Sequence, residues 1–575
     1  MKLTFLKALI TTLAILGSVL VLNNVVIADY ESQFSVDYSI EYNVNEAGET
    51  LVNQSATITN LKNDSIPTTY TFAARQLKIY DVSAETNGNE SKTKVEEKND
   101  ETLISITIEN YAIGEGRQNK INLKYKTKSI ANKTGNIWNI YIPKIQIPDS
   151  TTQYNVKLSI PASFGPEIYL SPTPVIEKQE GVNNTFYFTK ETFNTTGISA
   201  AFGQFQPLNF RLKYQLKNTT ILPSLKEIAL PMDIKNMQNV SYQNINPKPL
   251  KIKTDKDGNF IALYILSPKK SVEIEVTGTA KLFGRQINPD FGRSFSDIPK
   301  DLIRKYTKEQ KYWEVESPYV QKLSQQLKDD KLNIIKNAQK IYQFITQNLT
   351  YNFNALDLGL VERKGAEAAL VQKGSWTCME FTDLFIATSR AMGIPAREIN
   401  GYAFTSEGNN KPLSINLKGG GMLHSWAEFY DPYYGWIQVD PTWGTTSGID
   451  YFSKLDTNHF SFVIKGLSSE YPFPAGAYRY SDNEKLIETA LSQSVPEDSF
   501  IPKIAVKRVI NLNLIEIIKG NRKYKVTNVG GVFVYNLQGK ILPLGIGRSV
   551  TIYIHKDVNE LKFENLNEIK YSKTL

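Results

Sequence analysis

Few side chains here suit cysteine–histidine chemistry: one cysteine, Cys378, and three histidines, His424, His459 and His555, in 575 residues. A thiol attacks as its thiolate, so its surroundings decide whether it reacts. Around Cys378 the chain reads SWTCMEFTDLFIATSRAMGIPAR over residues 375–397. Thr377 and Glu380 have capping-box spacing, Asp383 adds an early acid, Arg390 falls in the last turn, Gly393 suits the position past the end and Pro395 forbids continuation. This pattern predicts a helix that begins at Cys378. Its unpaired N–H groups and positive dipole end favour negative charge on the sulfur, opposed in part by the nearby carboxylates. The bland alternative is a buried small hydrophobe, the common fate of a free cysteine.

A partner for the thiol lies downstream. His424-Ser-Trp-Ala-Glu-Phe-Tyr430 and Trp436-Ile-Gln-Val-Asp440 read as two strands joined by a Pro- and Gly-bearing connection. If Tyr430 faces Tyr434, His424 falls opposite Asp440; a register shifted by two leaves them diagonal on the same face, and an odd shift separates them. An imidazole held by a carboxylate through one nitrogen can exchange a proton with a thiol through the other. Taken singly, His424 reads as a hydrogen-bonded structural histidine and Asp440 as a turn residue before Pro441. Together with Cys378 they read as a site. His459, near Asp456, is expected to support the site structurally, and His555 has no partner motif.

These blocks resemble a known family. The run C-x-x-F…R-A-M-G-I-P-A-R-x-x-x-G-Y over residues 378–402, then HSWAE from His424, then G-W-x-x-x-D-P-T-W over residues 435–443, is similar to the transglutaminase-like cysteine-enzyme superfamily in its secreted bacterial and archaeal branch. The resemblance covers residues 333–459, under a quarter of the chain. It implies a papain-like α+β fold with Cys378 as nucleophile, His424 as general base and Asp440 orienting the imidazole, and acyl transfer through a thioester. It also implies that sandwich domains precede the catalytic core. One departure stands beside the nucleophile: many members carry Gly two residues before the cysteine, where this chain has Trp376. The Cys378 backbone N–H is one donor for an oxyanion, and the Trp376 indole N–H is a candidate second, against the alternative of a packing tryptophan.

The elements that must position these residues follow from periodicity. Residues 30–205 alternate apolar and polar side chains, as in LISITI (103–108) and IWNIYI (137–142), with Asn/Gly/Ser-rich turns between. A second strand-rich stretch follows, ending in VEIEV (272–276). From residue 333 the apolar positions 334, 335, 338, 341, 342, 345 and 349 recur with helical period. The expected fold class is multidomain: an N-terminal β-sandwich domain at 29–206, a second β domain at 207–285, a papain-like α+β catalytic domain at 296–465, a linker at 466–500 and a small C-terminal all-β domain at 501–575.

Lys2 and Lys7 before a mostly apolar run (residues 8–22), with small or branched residues 26–28, read as a secretory signal over residues 1–28, with an uncleaved anchor as the competing reading. Export to an extracellular or cell-envelope location is therefore expected, with membrane contact only through that segment if it stays attached. The net charge of +8 is too dilute to argue for nucleic acid. One cysteine excludes an intramolecular disulfide, and the Cys and His content gives no structural zinc set; no metal or cofactor is expected. A site for a hard cation with oxygen ligands, and hence calcium dependence, stays open. The expected function is an exported thiol enzyme doing acyl transfer or hydrolysis on protein or peptide amides. The alternative is a non-catalytic surface binding protein built on the same core.

Overall fold

The computed structural model describes residues 33–575 except 65, 76, 99–100, 144–150, 194–196, 357–361, 405–414, 418–420, 448, 480–484 and 540–542. The expected export signal at 1–28 lies outside the described residues. Among those described, no helix is long and apolar enough to cross a membrane.

The chain divides into two compact units, the first comprising Met1–Tyr42, Leu51–Thr127 and Gln146–Lys157, the second Asn43–Thr50, Lys128–Ile145 and Leu158–Leu575. In the first unit, strands Phe34–Val44, Thr50–Asn60, Gln118–Thr127 and Ile79–Thr86 lie in that order in one sheet, and Thr69–Arg75, Glu101–Thr107 and Thr93–Lys98 in another. Period-two patterning gives each strand one buried face: Ile104 and Ile106 are buried while Leu103 and Ser105 are half-buried. Phe72 of one sheet meets Tyr125 of the other at 5.8 Å between ring centroids, as in a sandwich.

The second unit carries the rest. A sheet ordered Gln238–Asn246, Ser271–Leu282, Gln206–Lys217, Ile487–Leu491 accompanies a three-stranded sheet of Ser224–Leu230, Phe260–Leu266 and Lys251–Thr254. Leu212, Tyr214, Ile228, Ile261 and Ile274 share one buried core there. The stretch expected as a linker, 466–500, thus supplies a strand: Ile487–Leu491 pairs antiparallel with Gln206–Lys217, Leu212 opposite Ile487. Its Pro- and Gly-rich beginning hid the short edge strand that completes the sheet. In the C-terminal region, Ile504–Val509, Asn521–Asn528 and Ser549–His555 form a three-stranded sheet, and Glu560–Glu564 pairs with Lys570–Thr574. A five-residue helix, Leu514–Ile518, interrupts this otherwise β region.

Between these in the chain lies a mixed layer whose helices include α1 (Pro318–Leu327), α2 (Ile334–Asn348), α3 (Ala366–Val371), α4 (Cys378–Met392) and α5 (Pro441–Ser447), together with one sheet. Its strands are β1 (Ala396–Ala403), β2 (Ile415–Leu417), β3 (Gly421–Asp431), β4 (Gly435–Val439) and β5 (His459–Lys465). They run in the order β2-β3-β1-β5, with β4 also on β3. Asn333 caps α2 by accepting the Lys336 N–H, and the helical stripe Ile334, Ile335, Ala338, Ile341, Tyr342, Ile345 is buried as its spacing requires. Helix α4 packs on β3 and β1 and against α1, α2 and α3. It is buried on nearly every side, so that even its charged residues Glu380, Asp383 and Arg390 lie in the interior.

Candidate active site

Helix α4 begins as its sequence dictates. Thr377 is the N-cap of a capping box with Glu380, whose carboxylate accepts the Thr377 N–H at 3.1 Å and hydroxyl at 2.8 Å. The same carboxylate accepts the Lys364 N–H at 2.9 Å. Cys378 is therefore the first helical residue, and Gly393 closes the helix at φ 93°, a left-handed conformation that glycine adopts without strain.

The hairpin closes two residues away from the expected register. Tyr430 pairs with Trp436 and Asp431 with Gly435, so the connection is the three residues 432–434. Asp431 Oδ1 accepts the N–H groups of Tyr433 and Tyr434, and Gly435 takes φ 76°. A turn built on this side-chain cap and a left-handed glycine moves the pairing by two, which preserves side-chain parity. His424 and Asp440 consequently stay on one face, as diagonal neighbours rather than directly opposed.

The two side chains meet, both fully buried. His424 Nε2 lies 2.8 Å from Asp440 Oδ2. Asp440 Oδ1 accepts the N–H groups of Thr442 at 2.9 Å and Trp443 at 3.0 Å, so the start of α5 holds the carboxylate in place. His459 Nε2 approaches the same Oδ2 at 3.3 Å, while its Nδ1 lies 2.8 Å from Asp456 Oδ1. Each histidine thus uses Nε2 on one shared carboxylate. The Trp426 and Trp443 rings stack near His424 at 5.9 and 5.3 Å between centroids, each inclined 25° to the imidazole. Opposite His424 on β1 stands Gly401, where a Cβ would run into the Phe460 carbonyl oxygen and the Trp426 ring; only glycine permits this close packing.

Cys378 stands close enough to His424 to help raise its imidazole, and His424 Nδ1 is a buried nitrogen with no hydrogen-bond partner among the described residues. With Nε2 committed to Asp440, Nδ1 is the ring nitrogen left for the sulfur. Cys378, His424 and Asp440 are each 0% exposed. The sulfur is thus closed off from solvent.

Burial by itself disfavours the His424 imidazolium, but Asp440, through charge and hydrogen bond, and Cys378 outweigh it and raise the group to about 9. His459 is likewise raised to about 9: Asp456 and Asp440 overcome its burial. Asp440 is held well below the usual carboxylate range by the two imidazoles, despite its own burial. An imidazole that binds its proton more tightly folded than unfolded stabilises the fold while that proton is bound. The contribution is full below about pH 6.5, the unfolded value, and is lost as pH rises through about 9. Melting temperature is expected to fall across that interval, with a shallower slope in His459→Gln; a rise over the same interval would contradict this charge assignment.

His424, Asp440 and His459 also bring three ligand-type atoms within 4.8 Å of one another. Their contacts already satisfy those atoms as a carboxylate accepting from two imidazoles.

Trp376 lies in the same hydrophobic core as Phe381 and Trp443. Its backbone pairs with the neighbouring segment, N–H to Thr350 O at 2.8 Å and carbonyl to Asn352 N at 2.9 Å. Packing accounts for its burial, and the oxyanion role stays an expectation. His555 is 45% exposed on its side chain and sits in the C-terminal region beside Asp557.

Sequence reasoning missed the buried ionic brace behind the site. Arg363 donates to Asp383 of α4 through Nε at 2.9 Å and also through Nη2, which reaches Glu398 of β1 at 2.9 Å. Trp313 Nε1 donates to Asp383 at 3.0 Å, and Asn400 and Ser425 donate to Glu398 at 2.8 and 3.1 Å. The brace ties the cysteine-bearing helix to the strand beside His424. Asp383 served in the sequence only as an early helix acid, and nothing local links it to Arg363.

Residues 320–441 match the profile of the transglutaminase-like superfamily. Among curated proteins, the chain is 23% identical over 242 residues to the uncharacterized protein YebA of Bacillus subtilis, spanning 36% of this chain and 32% of that protein. It is 31% identical over 119 residues to an uncharacterized protein of Haemophilus influenzae, spanning 19% of this chain and 31% of that protein. The chain thus spans about a third of the length of these relatives. Among solved structures, a provisionally assigned cysteine protease from Cytophaga hutchinsonii aligns over 50% of this chain and 99% of its own, at 16% identity and a TM-score of 0.31. Legionella pneumophila aminopeptidase A aligns over 33% of this chain and 23% of its own, at 12% identity and a TM-score of 0.21. Likeness at those scores carries no argument about function.

Proposed function

We propose that this chain, which carries a transglutaminase-like superfamily core at residues 320–441, is an exported thiol enzyme that transfers or hydrolyses acyl groups of protein or peptide amides. The observation that carries the reading is the buried chain of contacts from Cys378 through His424 to Asp440. The raised imidazole adds a detail: near neutral pH His424 is protonated, so an imidazolium stands beside the sulfur, a setting that favours attack by a thiolate. In the attack, the Cys378 thiolate adds to the amide carbonyl carbon. The tetrahedral oxyanion collapses as the C–N bond breaks, and the imidazolium gives its proton to the leaving nitrogen. A thioester and a neutral His424 remain. Water or an amine then attacks, His424 takes its proton, and departure of the thiolate restores the starting pair. An amine acceptor gives a cross-link or amide exchange; water gives deamidation or peptide hydrolysis.

The complete burial of Cys378 favours a second reading, a surface binding protein on which the thiol is inert. Mass spectrometry separates the two. On incubation with a glutamine-containing peptide library and a primary-amine probe, the enzyme reading expects amine adducts or deamidated or shortened peptides that vanish in Cys378→Ala. Identical peptide profiles for both proteins would support the binding reading.

A further inference from the structure

The C-terminal region carries a projection that its own domain does not explain. Between strands Ile504–Val509 and Asn521–Asn528 the chain rises into a loop and the short helix Leu514–Ile518. Ile510, Leu512, Leu514, Ile515, Ile517 and Ile518 are exposed there by 80, 86, 71, 64, 49 and 78%. Single exposed aliphatic residues are ordinary, but six within nine positions are not.

The helix is amphipathic the wrong way round for a water-soluble surface. Leu514, Ile515, Ile517 and Ile518 share one arc, and that arc faces solvent. The polar residues instead tie the loop to the domain or to itself. Glu516 accepts from Asn521 Nδ2 at 2.6 Å, and Asn511 Nδ2 donates to the Asn521 carbonyl at 3.0 Å. Asn513 Oδ1 accepts the Ile515 and Glu516 N–H groups at 3.1 and 3.4 Å. At the other end, Lys519 and Gly520 donate their N–H groups to the Ile515 and Ile517 carbonyls. Several backbone polar groups at each helix end are thus paired within the loop, which lowers the cost of leaving water.

The base of the projection is basic. Arg508, Lys519, Arg522 and Lys523 surround it; Lys523 pairs across strands with Val509 and Tyr553, and Arg508 with Tyr524. Of the acids near it, Glu516 accepts from Asn521 and pairs with Lys519 at 3.7 Å, leaving Arg508, Arg522 and Lys523 as the collar's uncompensated cations among the described residues, and Asp557 lies beside His555. An apolar knob above a collar of lysine and arginine complements a bilayer, with aliphatic side chains among the acyl chains and cations at the level of anionic headgroups.

We propose that the segment 508–523 is a membrane-docking tip that inserts Leu512, Leu514, Ile515 and Ile518 into a bilayer bearing anionic lipid. It would hold the chain at a lipid surface independently of the N-terminal segment, and it does not rest on the acyl-transfer reading.

The test uses the full chain with vesicles of phosphatidylcholine alone or mixed with phosphatidylglycerol. Sedimentation with the anionic vesicles is expected to weaken at least about tenfold in the double variant Leu512→Ser/Ile518→Ser. It should also weaken in Arg522→Gln/Lys523→Gln and with added salt. Leu512, Ile518 and Arg522 are exposed and Lys523 is half-buried, so melting temperature and Cys378 labelling should stay as in the parent chain. To read the tip directly, Ile515→Trp should show quenching by brominated lipid acyl chains that vanishes in the Leu512→Ser/Ile518→Ser background. Absence of quenching, or equal sedimentation of the parent and the serine variant, would overturn the proposal. So would a self-association or protein capture that the serine variant abolishes in the absence of any vesicle effect.

Discussion

Asp440→Asn is expected to leave a folded protein whose acyl transfer is lower by at least about 10²-fold, against about 10⁴ for the equivalent change in a serine-protease triad. The geometry makes the change severe. Oδ1 caps α5 through Thr442 and Trp443, and an asparagine oxygen does that equally well, so the fold is spared. The amide nitrogen must then face His424 Nε2 and His459 Nε2, where Oδ2 accepted from both. A donor in that position favours the wrong tautomer of His424, placing the proton on the nitrogen that should serve Cys378. If Asp440 acted only as a cap, the variant would match the parent in melting temperature and in turnover alike. Both should be measured on one preparation, because loss of turnover with loss of fold decides nothing.

Arg363→Leu is expected to cost about 3–5 kcal/mol of stability, the effect of removing one partner from a buried ionic group. The Arg363 side chain is 10% exposed, and the carboxylates it serves, Asp383 and Glu398, are 0 and 1% exposed. Lys465 stands 3.9 Å from Glu398 and leaves Asp383 without a comparable cation. The penalty is chiefly that of stranding Asp383 in a dry interior, so adding Asp383→Asn should recover part of the loss. Chemical denaturation of the single and double variants checks this; additive effects would mean that the two side chains are not coupled.

What could be read in the sequence was local. The start of α4 follows from Thr377, Glu380 and Gly393, each acting within a turn of its own position. Placing His424 and Asp440 on one face needed only the parity of a pleated strand, which survived a register error of two. That error came from the turn: Asp431 and Gly435 build a three-residue connection whose closing pair the aromatic residues alone did not mark. His459 was expected in support, and it lies there, bridging Asp440 and Asp456. The Arg363 brace and the Ile487–Leu491 edge strand had no such signature. One joins residues 20 and 35 positions apart, and the other joins strands more than 270 positions apart, so neither leaves a periodic trace. The inverted helix Leu514–Ile518 escaped for another reason. Strand-like content before and after it suggested a continuous β region, and exposure of its aliphatic face is a tertiary fact.

The central claim is that Cys378 owes its reactivity to His424. It is tested most directly by the rate of iodoacetamide modification of Cys378 as a function of pH, in the parent chain and in His424→Ala. Any opening that exposes the sulfur scales the rate at every pH, so the shape of the profile isolates the imidazole. If the protonated His424 holds the sulfur as a thiolate, the parent should keep its rate from about pH 8 down to about pH 6, while His424→Ala should lose rate progressively as pH falls. Superimposable profiles for the two proteins would contradict the account.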